Sequence, residues 1–410
     1  MASIFMKDDA RLRAEKGIIY DFLAPDGSES REAAEIIHAR NVEFCKNIKS
    51  SDCYEDFKLA VESLSGGTNT VILDDIGLPS VMVLIPRMNS RDLSNGLDSR
   101  THPAFIVNGR EYDTVAVGKY ISVIKYGRAY SLPNKDPATC FNFDDSARMC
   151  SLKGRGWGIT PYSLWGALAL WCKKNGTIPE GNTNYGQYGD NTESRGLTAT
   201  LTTLNGKEAT GHTLTGSGPN TWFHNHRPDG IADLCGNVFE WCSGFRFCNG
   251  ELQIIPNADT MINGCDMSYS SPLWRAILPD GSLTAPGDAD SVKLDFQNGR
   301  WVVSTRITSH TEEKRCCPVR DIVAGDGVEK IPQILIELGI CPEREATGTP
   351  YGNDVFWGPN KAVEQFPCRG GNWYDHVYAC GGMFRTSVYY GRDIIGNTIG
   401  MRLAYYKTHP

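Results

Sequence analysis

The chain has 410 residues, of which 40% are hydrophobic and 22% are charged, a composition typical of a folded globular protein. Its 17 tyrosines and 9 tryptophans exclude wholesale disorder, and its formal net charge of -7 gives no electrostatic reason to expect nucleic-acid binding. No segment approaches the roughly 20 consecutive apolar residues of a membrane helix, and we expect no secretory signal peptide.

The first 66 residues are predicted to form a module of their own. Charged and apolar residues recur at helical spacing in 32–37, 42–48 and 56–64, and Ser65-Gly66-Gly67 ends this pattern. Nothing in the stretch suggests catalysis. We therefore expect a small N-terminal module for attachment or oligomerisation over residues 1–66, followed by a second domain over residues 67–410.

Short strands are predicted next along the chain. Their expected positions are 70–73, 81–85, 104–107, 110–117 and 120–125. Asn108-Gly109 lies between the third and fourth of these and is a strong signal for a tight hairpin turn. Much of the remaining chain is rich in glycine and turn residues, which favours an architecture of short strands and long loops.

One helix is predicted clearly, over residues 160–175. Thr160 can cap it, Pro161 suits its first turn, and apolar residues at helical spacing give it one apolar face. Asn175-Gly176 should end it. Beyond this helix, residues 181–196 are predicted to be an irregular loop, and residues 251–295 and 315–345 are predicted to be insertions with short elements.

A conserved-looking chemistry is not evident in the glycine-rich motifs, and we expect them to be scaffold. The segment 229–241 contains Gly236-Asn237, which predicts a tight turn that directs Trp241 into the core. Glu240 would then be a half-buried carboxylate that needs a cation, either Arg402 or Arg369. The full set of predicted scaffold residues is Gly236, Asn237, Glu240, Trp241, Arg369, Gly370, Gly371, Trp373 and Arg402.

The order of these motifs resembles a known family. An Asp-x-x-Gly-Asn-x-x-Glu-Trp segment at 233–241, then Arg-Gly-Gly-x-Trp at 369–373, then Gly-Met-Arg-Leu-Ala at 400–404 is similar to the formylglycine-generating-enzyme (sulfatase-modifying factor) version of the C-type lectin fold. The resemblance covers roughly residues 100–406. It implies an α+β fold rich in irregular loops.

The enzymatic chemistry of that family is not expected in this chain. The resemblance implies a copper site of two cysteines after the paired glycines, and these positions fall on Asp375 and Cys380. A carboxylate cannot replace one of two soft thiolates in such a site. A related iron oxygenase would need three histidines, and His224 and His226 are the only close pair. We therefore predict no enzyme and no catalytic residue, with a metal-dependent oxidase as the alternative.

The C-terminal region has a different character. Six of the 17 tyrosines lie between Tyr374 and Tyr406. Tyrosine offers a large contact area at a small entropic cost, and its grouping with Asp375 and His376 favours an exposed binding surface. An aromatic edge of the core or an oligomer interface is the alternative, and we expect that role for Tyr405 and Tyr406.

This region resembles the variable region of the variable proteins of diversity-generating retroelements. In that family, a C-terminal cassette on a C-type lectin fold is altered at adenines. A variable region is expected over about 369–403, in the frame Arg369–Trp373 and Asn397–Leu403. The residues compatible with altered codons, and predicted to bind ligand, are Tyr374, Asp375, His376, Tyr378, Ser387, Tyr389, Tyr390, Asp393 and Ile394.

The resemblance implies receptor binding, as in phage tail-fibre adhesins of the tropism-determinant type. The partner would be a host cell-surface receptor, protein or glycan. The chain would be a homo-oligomer, such as a trimer, on a virion (tail fibre or baseplate) or on a bacterial surface. A structural assembly protein with an internal aromatic interface is a further alternative.

No cofactor is predicted. A structural calcium ion is conceivable because the loop at 181–196 offers hard oxygen ligands. The candidates are Asn182, Asn184, Asp190 and Asn191. Their spacing does not match an EF-hand, and a solvated polar loop is the favoured interpretation, so no metal is assigned.

Overall fold

The computed structural model describes residues 52–343, 351–375 and 382–407. It divides the chain into two compact units, with the boundary between Ser80 and Val81. In the first unit, the described part contains helix α1 (Asp52–Leu64) and strand β1 (Asn69–Leu73). Gly67 N donates to Glu62 O (2.8 Å) where the helix ends. The predicted segments 32–37 and 42–48 lie outside the described residues, and the role of residues 1–66 stays a prediction.

The second unit has few helices and many short strands. Its helices are α2 (Ser90–Leu93), α3 (Phe143–Ser151), α4 (Tyr162–Asn175) and α5 (Gln333–Glu337), with short 3-10 turns at Pro103–Phe105, Asn220–Trp222, Asp259–Met261 and Val319–Asp321. The strands from Pro79 to the end of the 14th are β2 (Pro79–Pro86), β3 (Ile106–Val107), β4 (Arg110–Glu111), β5 (Thr114–Gly118), β6 (Ser122–Lys125), β7 (Arg128–Ser131), β8 (Trp157–Ile159), β9 (Gln187–Tyr188), β10 (Asn191–Arg195), β11 (Leu201–Leu204), β12 (Lys207–Thr210), β13 (Phe239–Trp241) and β14 (Phe245–Cys248). The later strands are β15 (Glu251–Ile254), β16 (Arg275–Ile277), β17 (Leu283–Thr284), β18 (Lys293–Gln297), β19 (Arg300–Ser304), β20 (Arg315–Pro318), β21 (Val323–Ala324), β22 (Val355–Gly358), β23 (Phe366–Arg369), β24 (Thr386–Tyr390), β25 (Ile399–Met401) and β26 (Leu403–Tyr405).

Three larger sheets organise the second unit. One pairs β2, β5, β26 and β8 in that order, with antiparallel neighbours. A second has the order β20-β22-β24-β23-β13-β25, and a third has the order β17-β16-β15-β18-β19-β21, with β14 paired to β15. The fold is therefore α+β with short strands and long connections, as predicted. Residues 251–295, expected to be an insertion, supply strands to the third sheet and bury Leu252, Trp274 and Leu294 in the core.

Helix α4 lies in the core and is buried on more sides than the single apolar face that the sequence predicts. Side chains from Tyr162 to Leu170 are buried all around it. Trp165 Nε1 donates to Met383 O (2.9 Å) from within it. Gly176 ends the helix in the left-handed conformation (φ 66°), as predicted. Thr160 does not cap it, because its Oγ1 donates to Arg402 O (2.9 Å) instead.

Two local predictions need correction. Asn108 and Gly109, both with positive φ (49° and 72°), form a hairpin turn, but it joins only β3 and β4. The predicted strand 110–117 is broken, and its second half becomes β5 in another sheet. Residues 181–196 are not wholly irregular, because β9 and β10 pair there in an antiparallel hairpin with a register shift.

The last strand prediction also changes. Residues 397–403 were expected to form one strand beside the Arg369 strand. Instead β25 pairs in parallel with β13, which separates it from β23, and β26 pairs with β5 and β8 in the first sheet. Arg402 lies at the break between β25 and β26. The three motifs thus meet in one place, as the resemblance to the C-type lectin fold implies.

Candidate binding site

The candidate site rests on a buried ion pair in the scaffold. Arg402 Nη2 and Nε donate to the two carboxylate oxygens of Glu240 (2.6 and 2.8 Å), and both side chains are fully buried. Arg402 also donates to the carbonyl oxygens of Gly118 and Ala232 (2.9 Å each). Burial raises the pKa of the Glu240 carboxyl, although the Arg402 guanidinium opposes this shift. The structure therefore places Arg402, not Arg369, against Glu240.

Arg369 has another environment. It is the last residue of β23, so it ends a strand rather than beginning one, and its side chain is fully buried. The guanidinium donates to Tyr162 Oη (2.6 Å), Thr386 Oγ1 and Met383 O (3.2 Å). It also lies over the ring of Tyr162, 4.8 Å from the centroid. Arg369 therefore ties β23 to helix α4 and to the start of β24.

The turn at Gly236-Asn237 joins several loops. Gly236 has a φ of 70°, and a Cβ there would clash with the Asn182 backbone. Asn237 Oδ1 accepts from Thr213 N (2.9 Å) and its Nδ2 donates to Thr213 O (3.0 Å). Gly236 N donates to Gly370 O (2.8 Å), which connects this turn to the paired glycines. The predicted tight turn is thus present, and it holds the C-terminal motif in place.

Trp241 and Trp373 are aromatic parts of the same scaffold. Trp241 is fully buried, and its Nε1 donates to Phe141 O (3.2 Å). Trp373 follows Gly371 (φ 85°), is 8% exposed, and packs against Tyr185 with ring centroids 5.3 Å apart. Its backbone N donates to Asn237 O (3.1 Å). All nine predicted scaffold residues therefore lie together beneath the C-terminal segment.

The predicted ligand-binding residues divide by exposure. Tyr389 (38% exposed), Ile394 (41%) and Asp393 reach solvent, whereas Tyr374 and Tyr390 are half-buried. Tyr390 packs within the sheet, 6.2 Å from the ring centroid of Trp241. The predicted residues His376 and Tyr378 lie outside the described residues.

Asp375 and Ser387 are buried, contrary to the expectation that they contact ligand. Asp375 is 2% exposed, and its carboxylate accepts from Asn372 N (3.1 Å) and Asn372 Nδ2 (3.2 Å). It also lies 3.9 Å from Arg385 Nη2, which opposes the rise in its pKa that burial causes. Ser387 lies in the middle of the six-stranded sheet, between Trp357 and Cys368. These two side chains stabilise the turn and the sheet instead.

The loop 391–396 is held in place by Arg392. The guanidinium donates to both carboxylate oxygens of Glu364 (3.0 and 3.3 Å), to Asp144 Oδ1 (2.5 Å) and to Met267 O (2.8 Å). It also lies 4.8 Å from the centroid of the Phe366 ring. Asp393 and Ile394 therefore project from a loop with a fixed base. The sequence pattern did not single out Arg392, because three of its four partners come from distant segments.

The structure adds two residues that the sequence did not indicate. Trp357, on β22, has its ring centroid 5.1 Å from that of Tyr389, and Lys314 Nζ lies 3.9 Å from the centroid of the Tyr389 ring. Both lie outside the predicted variable region. Only the parallel pairing of β22 with β24 brings them beside it, and that pairing leaves no local signal in the sequence.

The residues considered for metal chemistry do not converge. His224 Nδ1 accepts from Ile231 N (2.8 Å), and burial lowers the pKa of His224 to about 4. His226 Nε2 lies 3.1 Å from Ile178 O. Cys380 lies outside the described residues, and Asp375 is engaged as above. Within the described ranges, no group of three or more His, Cys, Asp or Glu side chains is arranged to hold a metal ion.

The asparagines of the proposed calcium loop serve its backbone. Asn182 Oδ1 accepts from Gly186 N (2.7 Å), and Asn184 Nδ2 donates to Gly189 O (2.7 Å). Asn191 Oδ1 accepts from Glu193 N (3.1 Å). These side chains therefore satisfy local turns.

Comparison with known proteins finds two similar solved structures. "Treponema denticola variable protein 1" is 12% identical, with coverage of 82% of this chain and 98% of that chain and a TM-score of 0.31. PvdO from Pseudomonas aeruginosa is 12% identical, with coverage of 82% and 97% and a TM-score of 0.29. No protein-family model and no curated protein matches the chain. Among the described residues, no helix has the length and apolar character that a membrane crossing requires.

Proposed function

We propose that the chain is a non-enzymatic binding protein whose C-terminal surface binds a target. The observation that carries this proposal is the division of the C-terminal segment into buried and exposed side chains. Arg369 and Arg402 are buried in the scaffold, whereas Tyr389, Asp393 and Ile394 project from it. Such exposed positions can change without disturbing the core, which is what a variable protein of a diversity-generating retroelement requires.

Aromatic burial would supply most of the binding energy. A tyrosine side chain can bury roughly 150–250 Å² in an interface, and aromatic residues are enriched among the side chains that dominate binding. Tyr389 provides the exposed ring, and Tyr374 and Tyr390 flank it as half-buried rings. Asp393 adds a polar group that can set specificity.

The target we propose is a receptor on a bacterial surface, either protein or glycan. The chain would act on a virion, in a tail fibre or baseplate, or on a bacterial surface, as a homo-oligomer such as a trimer. These proposals rest on the resemblance of the C-terminal region to variable proteins. Light scattering of the full chain tests the oligomeric state directly.

Binding to cells tests the proposed function. Fluorescently labelled full chain should stain at least one strain in a panel of bacteria, measured by flow cytometry. The triple variant Tyr389→Ala, Asp393→Ala, Ile394→Ala should lose more than roughly tenfold in apparent affinity, because it removes the exposed part of the surface.

A matched triple variant on an exposed hairpin is the control. Leu201→Ala, Lys207→Ala, Glu208→Ala changes β11 and β12, which are also exposed, and should leave staining unchanged. Equal staining by both triple variants would refute the proposal. A second, genomic test is a near-copy of the DNA for residues 369–403 beside a reverse transcriptase gene, differing mainly at adenines.

The oxidase alternative is disfavoured by the residues at the expected copper position. Asp375 is a hard carboxylate, buried and engaged with Asn372 and Arg385, so it does not fit a soft two-thiolate site. Metal analysis of the purified protein, together with a thiol-oxidation assay, tests this alternative. Stoichiometric copper with oxidase activity would overturn the proposal that the chain is not an enzyme.

A further inference from the structure

An aromatic ledge lies beside the exposed part of the C-terminal segment. We define it as Trp357, Tyr389 and Tyr390, whose neighbouring ring centroids are 5.1 and 5.2 Å apart. Trp357 pairs with Ser387 in the parallel β22–β24 ladder. Since side chains two residues apart share a face of a strand, Tyr389 stands on the same face as Trp357. The ledge therefore joins a residue outside the predicted variable region to two residues inside it.

Lys314 adds a positive charge to this ledge. It is exposed, and its Nζ lies 3.9 Å from the centroid of the Tyr389 ring and 5.3 Å from that of Trp357. In the parts of the chain that the structure describes, Lys314 forms no ion pair with a carboxylate. Arg385 Cζ lies 5.7 Å from the centroid of the Trp357 ring, which adds a second cation at the ledge. The ledge is thus locally cationic in a chain with a net charge of -7.

The shape of the ledge favours a protein partner over a small ligand. Small ligands bind in concave pockets, whereas protein interfaces are flatter and are enriched in tyrosine, tryptophan and arginine. Cavities of about 250, 420 and 560 Å³ lie elsewhere in the second unit, and Trp357, Lys314 and Tyr389 line none of these three. The ledge offers aromatic faces and a cation on an open surface.

We infer that Trp357 and Lys314 are constant members of the target-binding surface and that they contact an acidic side chain on a protein target. This inference rests on the proposed function. Because both residues lie outside 369–403, they would be shared by every variant of the C-terminal region. Trp357 would pack against the target, and the Lys314 ammonium would pair with a carboxylate while it remains on the ring faces.

Peptides selected on the full chain test the inference. A random peptide library displayed on phage is selected on the immobilised chain. Peptides that also bind the triple variant Tyr389→Ala, Asp393→Ala, Ile394→Ala are discarded. The remaining peptides should be enriched in Asp and Glu, and their binding should weaken as salt increases. The synthetic peptides are then measured by isothermal titration against single variants.

Two variants carry the measurement, with one control. Lys314→Gln should weaken binding roughly twofold to fivefold, as expected for one exposed ion pair. Trp357→Ala should weaken it roughly tenfold or more. Trp357→Leu serves if Trp357→Ala fails to fold, as judged by its thermal unfolding. Lys207→Gln removes an equally exposed lysine on β12 and should leave the affinity unchanged.

The outcomes separate this inference from the proposed function. If no selected peptide depends on the triple variant, the proposed function fails. If peptides depend on the triple variant but bind Lys314→Gln and Trp357→Leu as tightly as the full chain, only the inference fails. Binding of sialylated but not asialo oligosaccharides, lost in Lys314→Gln, would overturn the choice of a protein target.

Discussion

Removing Arg402 should destabilise the second unit strongly, because it leaves a buried carboxylate without its cation. Arg402→Met takes away both hydrogen bonds to Glu240 and the donors to the carbonyls of Gly118 and Ala232. Breaking a buried ion pair from one side costs about 3–5 kcal/mol. We therefore expect the free energy of unfolding to fall by about that amount at neutral pH.

The pH dependence of this loss gives a second readout. Burial already raises the pKa of Glu240, and Arg402 opposes that rise. Without Arg402 the folded-state pKa rises further, so the folded state binds a proton that the unfolded state releases at neutral pH. The stability of the variant should therefore increase as the pH falls from neutrality towards the pKa of an unfolded glutamate. The deficit relative to the unaltered chain should shrink over the same range.

Urea denaturation followed by tryptophan fluorescence measures this effect. All nine tryptophans lie between residues 157 and 373, so the signal reports on the second unit. The double variant Glu240→Gln, Arg402→Met should recover part of the loss, because it removes the unpaired charge. A loss below about 1 kcal/mol in Arg402→Met, with no dependence on pH, would show that the pair does not hold the two sheets as we argue.

Two further predictions concern the scaffold around the site. Gly236→Ala should lower the thermal midpoint clearly more than Gly109→Ala: both glycines have φ near 70°, but a Cβ at Gly236 would clash with Asn182, whereas none lies within 4 Å at Gly109. Equal shifts in a calorimetric comparison would contradict the steric argument. Asp354→Asn should reduce the loss of stability as the pH rises from about 4 to about 7, because burial raises the pKa of Asp354 to about 7 and the folded state then holds a proton that the unfolded state has released. Thermal midpoints across this range test it, and parallel curves for the two proteins would contradict it.

Features set by neighbouring residues could be predicted from the sequence. The end of helix α4 at Gly176 and the tight turn at Gly236-Asn237 depend on local φ values that glycine and asparagine adopt easily. The hairpin turn at Asn108-Gly109 is similar. The lengths of the paired strands were not predictable in the same way, because strand 110–117 breaks where β5 joins a different sheet.

Features set by distant residues could not be predicted. The break of the last strand at Arg402 arises because β25 belongs to one sheet and β26 to another. Trp357 lies beside Tyr389 only through a parallel pairing of strands that are far apart in the sequence. The choice of Arg402 over Arg369 as the partner of Glu240 also depends on the complete fold, since both arginines are buried near the same motif.

The same distinction bears on how a variable surface can coexist with a stable fold. Codon composition groups Asp375 and Ser387 with Tyr389, Asp393 and Ile394, but burial separates them. A change at an exposed position alters contacts with solvent and target, whereas a change at Asp375 removes hydrogen bonds to Asn372 and leaves the charge of Arg385 without its neighbour. Diversity in this segment is therefore expected to concentrate where the scaffold makes few contacts, and the ledge beside it supplies a constant contact for all variants.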